Sequence, residues 1–282
     1  MPLMRLLVGY LATKGGADAV AVATMIARTI DASIDLAMIV PEDVISDALA
    51  PSGGYHEHVR HQAEQWLAEA AATITDIPVN THVVAHESFA EGLIELADKL
   101  AASAIVVGGS GGGIIGSLSL GAVVNELLHA SPVPVVLSPR GARHVTAPRV
   151  REVTCAIGAR PGAAEVFRTA IESTSRAGVP LRLVSLVSLD EGRGSAAIEH
   201  ARRYVEQAKA SLPADIDVTS VVAEGATVED AVNRLDWHDG DVILVGSSRL
   251  AQPRRLFLGS TAARMLRVLR VPVVVIPREY ER

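Results

Sequence analysis

The chain has 282 residues, of which 49% are hydrophobic and 21% are charged, and its 26 basic and 32 acidic residues give a formal net charge of −6. This length predicts two ordinary domains, and this composition is that of a globular protein rather than a disordered or membrane protein. The negative net charge provides no basic surface for DNA or RNA, so we expect no nucleic-acid partner.

In the first half of the chain, short runs rich in Val, Ile and Leu alternate with longer segments of helical period. This alternation is typical of parallel βαβ units whose sheet is covered by helices on both faces. Apolar stripes predict helices over residues 17–30, 59–74 and 93–100. The predicted strands are Leu3–Gly9, Ile34–Val40, Val79–Ala85, Ala104–Gly108 and Val133–Ser138.

The second half repeats this order with a nearly constant offset. The offset is 147 residues over the first two strands and 138 from the third strand onward, which places a surplus of nine residues around Pro41–His61. The polar segment Gly141–Pro148 is interpreted as a hinge between two domains, 1–142 and 148–282. The predicted strands are Glu152–Ile157, Leu181–Val187, Val218–Ala223, Val242–Gly246 and Val271–Ile276.

Two features bear on the compartment. Residues 100–125 carry no charge and are numerous enough to span a bilayer, but the seven glycines among them indicate strand, loop and helix start instead. The N-terminus shows no export signal, and the lone Cys155 lies in an apolar strand pattern that indicates an inert core thiol. We therefore expect a cytoplasmic protein without a membrane span.

The strongest internal match surrounds the fourth predicted strand of each half. Val107-Gly108-Gly109-Ser110 recurs as Val245-Gly246-Ser247-Ser248, and Leu120-Gly121 recurs as Leu258-Gly259. A strand, a glycine-bearing loop and a helix start form an arrangement that presents backbone N–H groups to a phosphate. The repeat therefore indicates where in each half a phosphate-binding site is to be sought.

The five βα units and this glycine spacing resemble the tandem form of the universal stress protein family. Nucleotide-binding members carry Gly-x2-Gly-x9-Gly-(Ser/Thr) after the fourth strand, and here Gly108, Gly111 and Gly121 match in the first half. The resemblance implies two Rossmann-like domains, each a five-stranded parallel sheet with helices on both faces. It also implies fifth strands that meet across an internal pseudo-two-fold axis, ATP or a related adenine nucleotide as the ligand, and a homo-oligomer such as a dimer.

Each half departs from the family pattern. Ala122 stands where the family has a hydroxyl, whereas the second half keeps Ser260 and has Arg249 at the second glycine. The aspartate that ends the first strand in nucleotide-binding members is replaced by Leu11 and Gly158. The candidate nucleotide-binding positions are Leu11, Val40, Gly108, Gly111, Gly121, Ala122, Val187, Gly246, Arg249, Gly259, Ser260 and Thr261.

Arg249 has two interpretations. With Arg254 and Arg255 nearby, it is placed to contact a phosphate or an acidic ligand at the carboxyl end of the sheet. Alternatively, it fills the space left by the missing glycine or lies along the surface with its guanidinium in water, which is the commoner fate of loop arginines.

Other motifs carry less weight. The segment 111–116 matches G-x-G-x-x-G, but it follows the fourth strand of its half and has no counterpart in the second half, so we expect no redox cofactor. His56, His58 and His61 do not share one helix face, and we interpret them as a solvated helix start without a metal. No Walker P-loop, G-x-S-x-G, H-E-x-x-H or C-x-x-C motif is present, so no catalytic residue is assigned.

The sequence thus favours a non-catalytic stress-response or regulatory protein with degenerate adenine-nucleotide sites. Two alternatives remain open, an ATP-binding switch and an accessory subunit that docks on a membrane transporter. If only one half binds nucleotide, we expect it to be the first, because Ala122 costs one hydrogen bond whereas Arg249 places a bulky side chain where backbone must approach the ligand.

Overall fold

The computed structural model describes residues 4–41, 53–109, 121–158, 163–188, 195–247 and 259–277. Strands and helices alternate through both halves, and a short 3-10 helix lies between them at Ala142–His144. In the first half the elements are β1 (Arg5–Gly9), α1 (Lys14–Ile30), β2 (Ser33–Pro41), α2 (Gly53–Ala72), β3 (Val79–His86), α3 (Phe89–Lys99), β4 (Ala104–Gly108), α4 (Ala122–Ala130) and β5 (Val135–Ser138). In the second half they are β6 (Glu152–Ala156), α5 (Ala163–Ala177), β7 (Leu181–Ser188), α6 (Ser195–Ala210), β8 (Val218–Gly225), α7 (Val228–Asn233), β9 (Asp241–Gly246), α8 (Ser260–Leu266) and β10 (Val273–Ile276).

All ten strands form one sheet in the order β3-β2-β1-β4-β5-β10-β9-β6-β7-β8. Within each half the neighbouring strands are parallel, and only the central pair, β5 and β10, is antiparallel. Val136 pairs with its own repeat equivalent, Val274, so the pseudo-two-fold axis passes between these two residues. This confirms the predicted meeting of the fifth strands, which also protects two edges that would otherwise be exposed.

Helices cover both faces of the sheet, as predicted for Rossmann-like units. On one face, residues of α3, α4, α7 and α8 join a single hydrophobic cluster that contains side chains from both halves, such as Leu127 and Leu266. On the other face, α1 and α2 cover the first half and α5 and α6 cover the second half in two clusters. Met25 of α1 belongs to the cluster of the second half, so the halves also touch on this face.

The predicted insertion after the second strand is present, but the surplus is eight residues rather than nine, because residues 42–78 separate β2 from β3 whereas residues 189–217 separate β7 from β8. The connection 42–52 has eleven residues where 189–194 has six, and α2 has 20 residues where α6 has 16. The predicted offset of the third strand is wrong by one residue, because Val83 lies opposite Met38 whereas Val222, not Val221, lies opposite the equivalent Ser185. Val83 and Val222 accordingly pack on the same face of the sheet, towards α2 and α6.

The segment between the halves, interpreted above as a hinge, is anchored at both ends by hydrogen bonds to α1. Asp18, a buried residue of α1, accepts hydrogen bonds from the backbone N–H groups of Gly141 (3.0 Å) and Arg143 (2.9 Å). The Arg143 guanidinium also donates to the Asp18 carboxylate at 2.9 Å. At the far end, Val150 N–H donates to the Thr29 hydroxyl at 2.8 Å. The two halves share one sheet and one hydrophobic cluster, so the structure does not separate them into two units. The domain boundaries 1–142 and 148–282 therefore stay a prediction.

An ion pair between the first two strands of each half is inverted in charge. Arg5 of β1 binds the fully buried Asp35 of β2 at 2.6 Å. At the equivalent positions Glu152 of β6 lies 3.2 Å from Arg182 of β7. The Glu152 Oε1 atom nevertheless has no well-aligned hydrogen bond among the described residues, so the second pair is the looser one.

Candidate nucleotide site

The strand order of each half reverses between its first and fourth strands, and ligands of such sheets bind at the carboxyl ends of the strands at this point. In the first half β1 lies beside β4 with Gly9 opposite Val107. Tyr10 and Leu11 therefore follow β1 at the same edge at which Gly108 and Gly109 end β4. Gly109 N–H donates to the Ser138 carbonyl at 3.1 Å, which fixes the end of β4 against β5.

The start of α1 lies directly on this edge, at the end of β4. A Cβ atom on Gly108 would stand 2.0 Å from the carbonyl oxygen of Gly15, and one on Gly15 would stand 2.8 Å from the carbonyl oxygen of Gly109. Thr13 caps the helix by accepting a hydrogen bond from Gly16 N–H at 3.2 Å. The absence of a side chain at Gly108 is thus needed for contact within the protein itself, irrespective of any ligand.

The remaining candidate positions of the first half surround this contact. Leu11 is 47% exposed and presents a hydrocarbon side chain where the family resemblance implies a carboxylate. Val40 is half-buried near the end of β2 and packs against the hydrophobic cluster under α1 and α2. Gly121 is the N-cap of α4 without a side-chain cap, and Ala122 is exposed at the first position of that helix. The first turn of α4 therefore has no hydroxyl to offer a ligand.

Among the described residues, the second half is more open at the equivalent edge. A Cβ atom on Gly158, the equivalent of Leu11, would meet no atom of these residues within 4 Å. Val187 is buried near the end of β7, and Gly246 ends β9. Gly259 caps α8 without a side-chain hydrogen bond, and Ser260 and Thr261 begin that helix. The structure thus places these residues at the predicted edge, with the hydroxyl-bearing residues at a helix start.

Charged contacts beside the two helix starts differ between the halves. Ser88, the N-cap of α3, donates its hydroxyl to Glu126 of α4 at 3.1 Å. In the second half Glu229 of α7 accepts a hydrogen bond of 2.9 Å from Arg264 of α8. Burial opposes ionisation of Glu229, but a backbone hydrogen bond and Arg264 outweigh it and lower the pKa of its carboxyl. Both contacts fix the fourth helix of a half against the third.

Three further sequence predictions concern the loops after the fourth strands, a metal site and the lone cysteine. Gly111, Arg249 and the segment 111–116 lie outside the described residues. Among the residues that the structure describes, no three His, Cys, Asp or Glu side chains are grouped as metal ligands would be. Cys155 is fully buried, and burial raises the pKa of its thiol to about 12, which confirms an inert core thiol.

Gly15 and Gly16 are not among the site residues predicted from the sequence, although both lie at the end of β1 and β4. Gly16 lies so close to Leu11 that a Cβ atom would stand 1.9 Å from the Leu11 carbonyl oxygen. The signal was available, because two consecutive glycines at the start of a helix are unfavourable unless another backbone segment needs the space.

Comparisons with known proteins agree with this architecture. A model of the universal stress protein family matches the chain twice, over residues 3–139 and 149–277. Universal stress proteins of Mycobacterium tuberculosis (strain ATCC 25618 / H37Rv) and Mycobacterium bovis are each 30% identical over 295 residues, covering 97% of this chain and 100% of the relative. A solved universal stress protein from Archaeoglobus fulgidus DSM 4304 has a TM-score of 0.74 at 19% identity and covers 99% of this chain and 100% of that chain. A functionally unknown protein from Pseudomonas aeruginosa PAO1 has a TM-score of 0.62 at 18% identity, with 99% and 94% covered.

Proposed function

Because the chain belongs to the universal stress protein family, we propose that it is a non-catalytic regulatory protein with degenerate adenine-nucleotide sites. In this proposal the first half is the one that retains binding of ATP or a related adenine nucleotide. No step of ATP hydrolysis is assigned to either half.

The observation that carries the proposal is the chemistry at the end of the first strand of each half. Leu11 is 47% exposed beside the end of β4, and no described residue lies within 4 Å of a Cβ atom built on Gly158. Neither residue can orient a water, hold Mg²⁺ or bond to a ribose, which are tasks for polar or charged groups. This supports a site that has lost contacts to the nucleotide rather than one equipped for turnover.

The difference between the halves follows from their helix starts. Ala122 removes one hydroxyl, which is worth about 0.5–1.5 kcal/mol as a hydrogen bond to a ligand. The contact between Gly15 and Gly108 keeps the backbone of the first half closely packed at the switch point. The loss of one hydrogen bond at a well-packed sheet edge supports weak nucleotide binding to the first half.

Restoration of the family residues tests the proposal. Leu11→Asp combined with Ala122→Ser should tighten ATP binding to the full chain by roughly 1–3 kcal/mol, the worth of two hydrogen bonds, without phosphate release. Titration calorimetry and a phosphate assay on wild type and variant measure the two effects. Leu11→Asn with Ala122→Ser is the matched control, because it supplies a polar group without the charge. Turnover of about one per second or faster by the wild type would contradict the non-catalytic assignment.

A matched pair of charge variants assigns binding to a half without separating the halves. Ala122 and Ser260 are equivalent, exposed first residues of α4 and α8, where an acidic side chain also favours the helix. A carboxylate there repels a nucleotide phosphate. Ala122→Glu should therefore abolish ATP binding, and Ser260→Glu should leave it unchanged. The reverse result would assign the nucleotide to the second half.

Assembly and compartment form the last part of the proposal. The edges of β5 and β10 are paired with each other, so a homodimer of this chain must use another surface, and light scattering of the purified chain measures whether one forms. A single buried cysteine supports a reducing compartment such as the cytoplasm. None of the helices that the structure describes is both long and apolar enough to cross a membrane.

A further inference from the structure

A groove lies over the pseudo-two-fold axis, on the face of the sheet covered by α1 and α5. Its floor is formed by strands of both halves, and Val136 and Val274, the pair on the axis, both line it. Its walls are Ile26 and Thr29 of α1 and Thr169 of α5. The groove lies where α1, which packs on β5, and α5, which packs on β10, meet over the paired central strands.

The groove suits a hydrocarbon group of limited size. Its cavity volume is about 140 Å³, and an apolar cavity of about 150 Å³ stays dry and accepts a benzene-sized molecule. Apolar side chains such as Leu6 and Leu244 dominate the lining. The Thr29 hydroxyl is already committed, since it donates to the Met25 carbonyl at 2.7 Å and accepts from Val150 N–H at 2.8 Å.

One buried polar group beside the groove lacks a partner. The Thr169 Oγ1 atom is buried and makes no hydrogen bond to any residue that the structure describes. Threonine hydroxyls within helices commonly bond to a carbonyl of the preceding turn, as Thr174 does to Ala170 at 2.8 Å on the same helix. Rotation about χ1 of Thr169 would therefore break no bond and would offer the hydroxyl to a ligand in the groove.

The rim carries one charged residue of each sign, and the acidic one is already paired. Two charged residues of α5, Glu172 and Arg176, line the groove. The Glu172 carboxylate is occupied by Arg168 at 2.8 Å. Arg176 is exposed in the last turn of α5, and the structure gives it no ion pair with the residues described. A ligand that enters the groove thus meets an apolar interior and one guanidinium at the mouth.

We propose that this groove is a second ligand site, which binds a medium-chain monocarboxylate with its hydrocarbon chain over Val136 and Val274 and its carboxylate on Arg176. The site is formed by both halves and is separate from the carboxyl edges at which nucleotide is proposed to bind. A guanidinium matches a carboxylate in geometry and charge, which favours an acid over a neutral alcohol of the same length.

Octanoate and octanol are the probes. Titration calorimetry of the full chain should show one octanoate per chain, with a dissociation constant of about 1 mM or tighter and a negative heat-capacity change from burial of apolar surface. Arg176→Gln should weaken octanoate binding by about tenfold and leave octanol binding unchanged, since a charge-assisted bond is lost. Arg203→Gln, at an exposed arginine of α6 that does not line the groove, is the matched control and should change neither.

A second pair of variants fills the groove. Ala177, a half-buried last residue of α5, lines the groove, whereas Ala210, the last residue of α6, does not. Ala177→Trp should abolish binding of both probes, and Ala210→Trp should leave it intact, with circular dichroism confirming that both variants fold. The proposal is overturned if octanoate does not bind, if Arg176→Gln and Arg203→Gln behave alike, or if Ala177→Trp still binds octanoate.

Discussion

Gly108→Ala probes the contact between the end of β4 and the start of α1. The added Cβ atom would stand 2.0 Å from the Gly15 carbonyl oxygen and 2.5 Å from its carbonyl carbon. Because ordinary contacts begin near 3.4 Å, the two segments must separate by about 1.4 Å, the difference between 3.4 and 2.0 Å. Both atoms belong to backbone, so no side-chain rotation relieves the overlap.

The energetic cost follows from what holds the two segments. β4 is paired on both sides, with β1 and with β5, and α1 is fixed by buried residues such as Ala19 and Ala23 in the cluster beneath it. Overpacking typically costs about 1–3 kcal/mol, and we expect the upper end, about 3 kcal/mol, because neither segment is free to move. At about 2–4 °C per kcal/mol, the melting temperature should fall by about 6–12 °C.

Thermal unfolding of the full chain, followed by circular dichroism, measures the effect. Gly158→Ala is the matched control, because a Cβ atom at Gly158 meets no atom within 4 Å in the part of the chain that the structure describes. It should be neutral or stabilising by up to about 1 kcal/mol. A drop in melting temperature at Gly108→Ala no larger than that at Gly158→Ala would refute the inference that the two backbones are in contact.

Two further predictions concern buried polar groups. Burial opposes ionisation of Asp35, but hydrogen bonds from Arg5 and His82 outweigh it and lower the pKa of its carboxyl below the ordinary 3.8. The ionised Asp35 carboxylate therefore stabilises the fold above about pH 3.8, and this contribution is lost as the pH falls through the lower folded-state pKa. In that pH range the urea midpoint of the wild type should fall more steeply than that of Asp35→Asn. Parallel curves of urea midpoint against pH would contradict this prediction. Thr169→Val should be neutral or stabilise the protein by about 1 kcal/mol, because the Thr169 hydroxyl has no partner among the described residues. Thr174→Val should destabilise the protein by about 1 kcal/mol, because the hydrogen bond from the Thr174 hydroxyl to the Ala170 carbonyl is lost. Equal urea midpoints for the two variants would argue against both assignments.

The strands were predictable because each is a short apolar run between helical segments, and all ten predicted strands are present. The error of one residue in the third strand has a specific cause. Val83-Val84-Ala85 matches Val221-Val222-Ala223 letter for letter, but strand register is decided by which side chains face the helices, and the pairing shifts the second set by one position.

What the sequence could not reveal are contacts between distant segments. A polar stretch with glycine and proline predicts a flexible linker, yet Asp18 holds residues 141–143 from more than 120 positions away. The groove at Val136 and Val274 arises in the same way. Each depends on how elements meet in space, and no local pattern of residue types encodes this.

The antiparallel pairing of β5 with β10 determines which way the two halves face. Within each half all strands point the same way, so reversal at the centre directs the carboxyl ends of β1–β5 and those of β6–β10 to opposite sides of the molecule. Ligands bound at the two edges would therefore lie on opposite sides of the molecule, separated by the length of the strands. Occupation of one edge therefore leaves the other edge accessible to solvent.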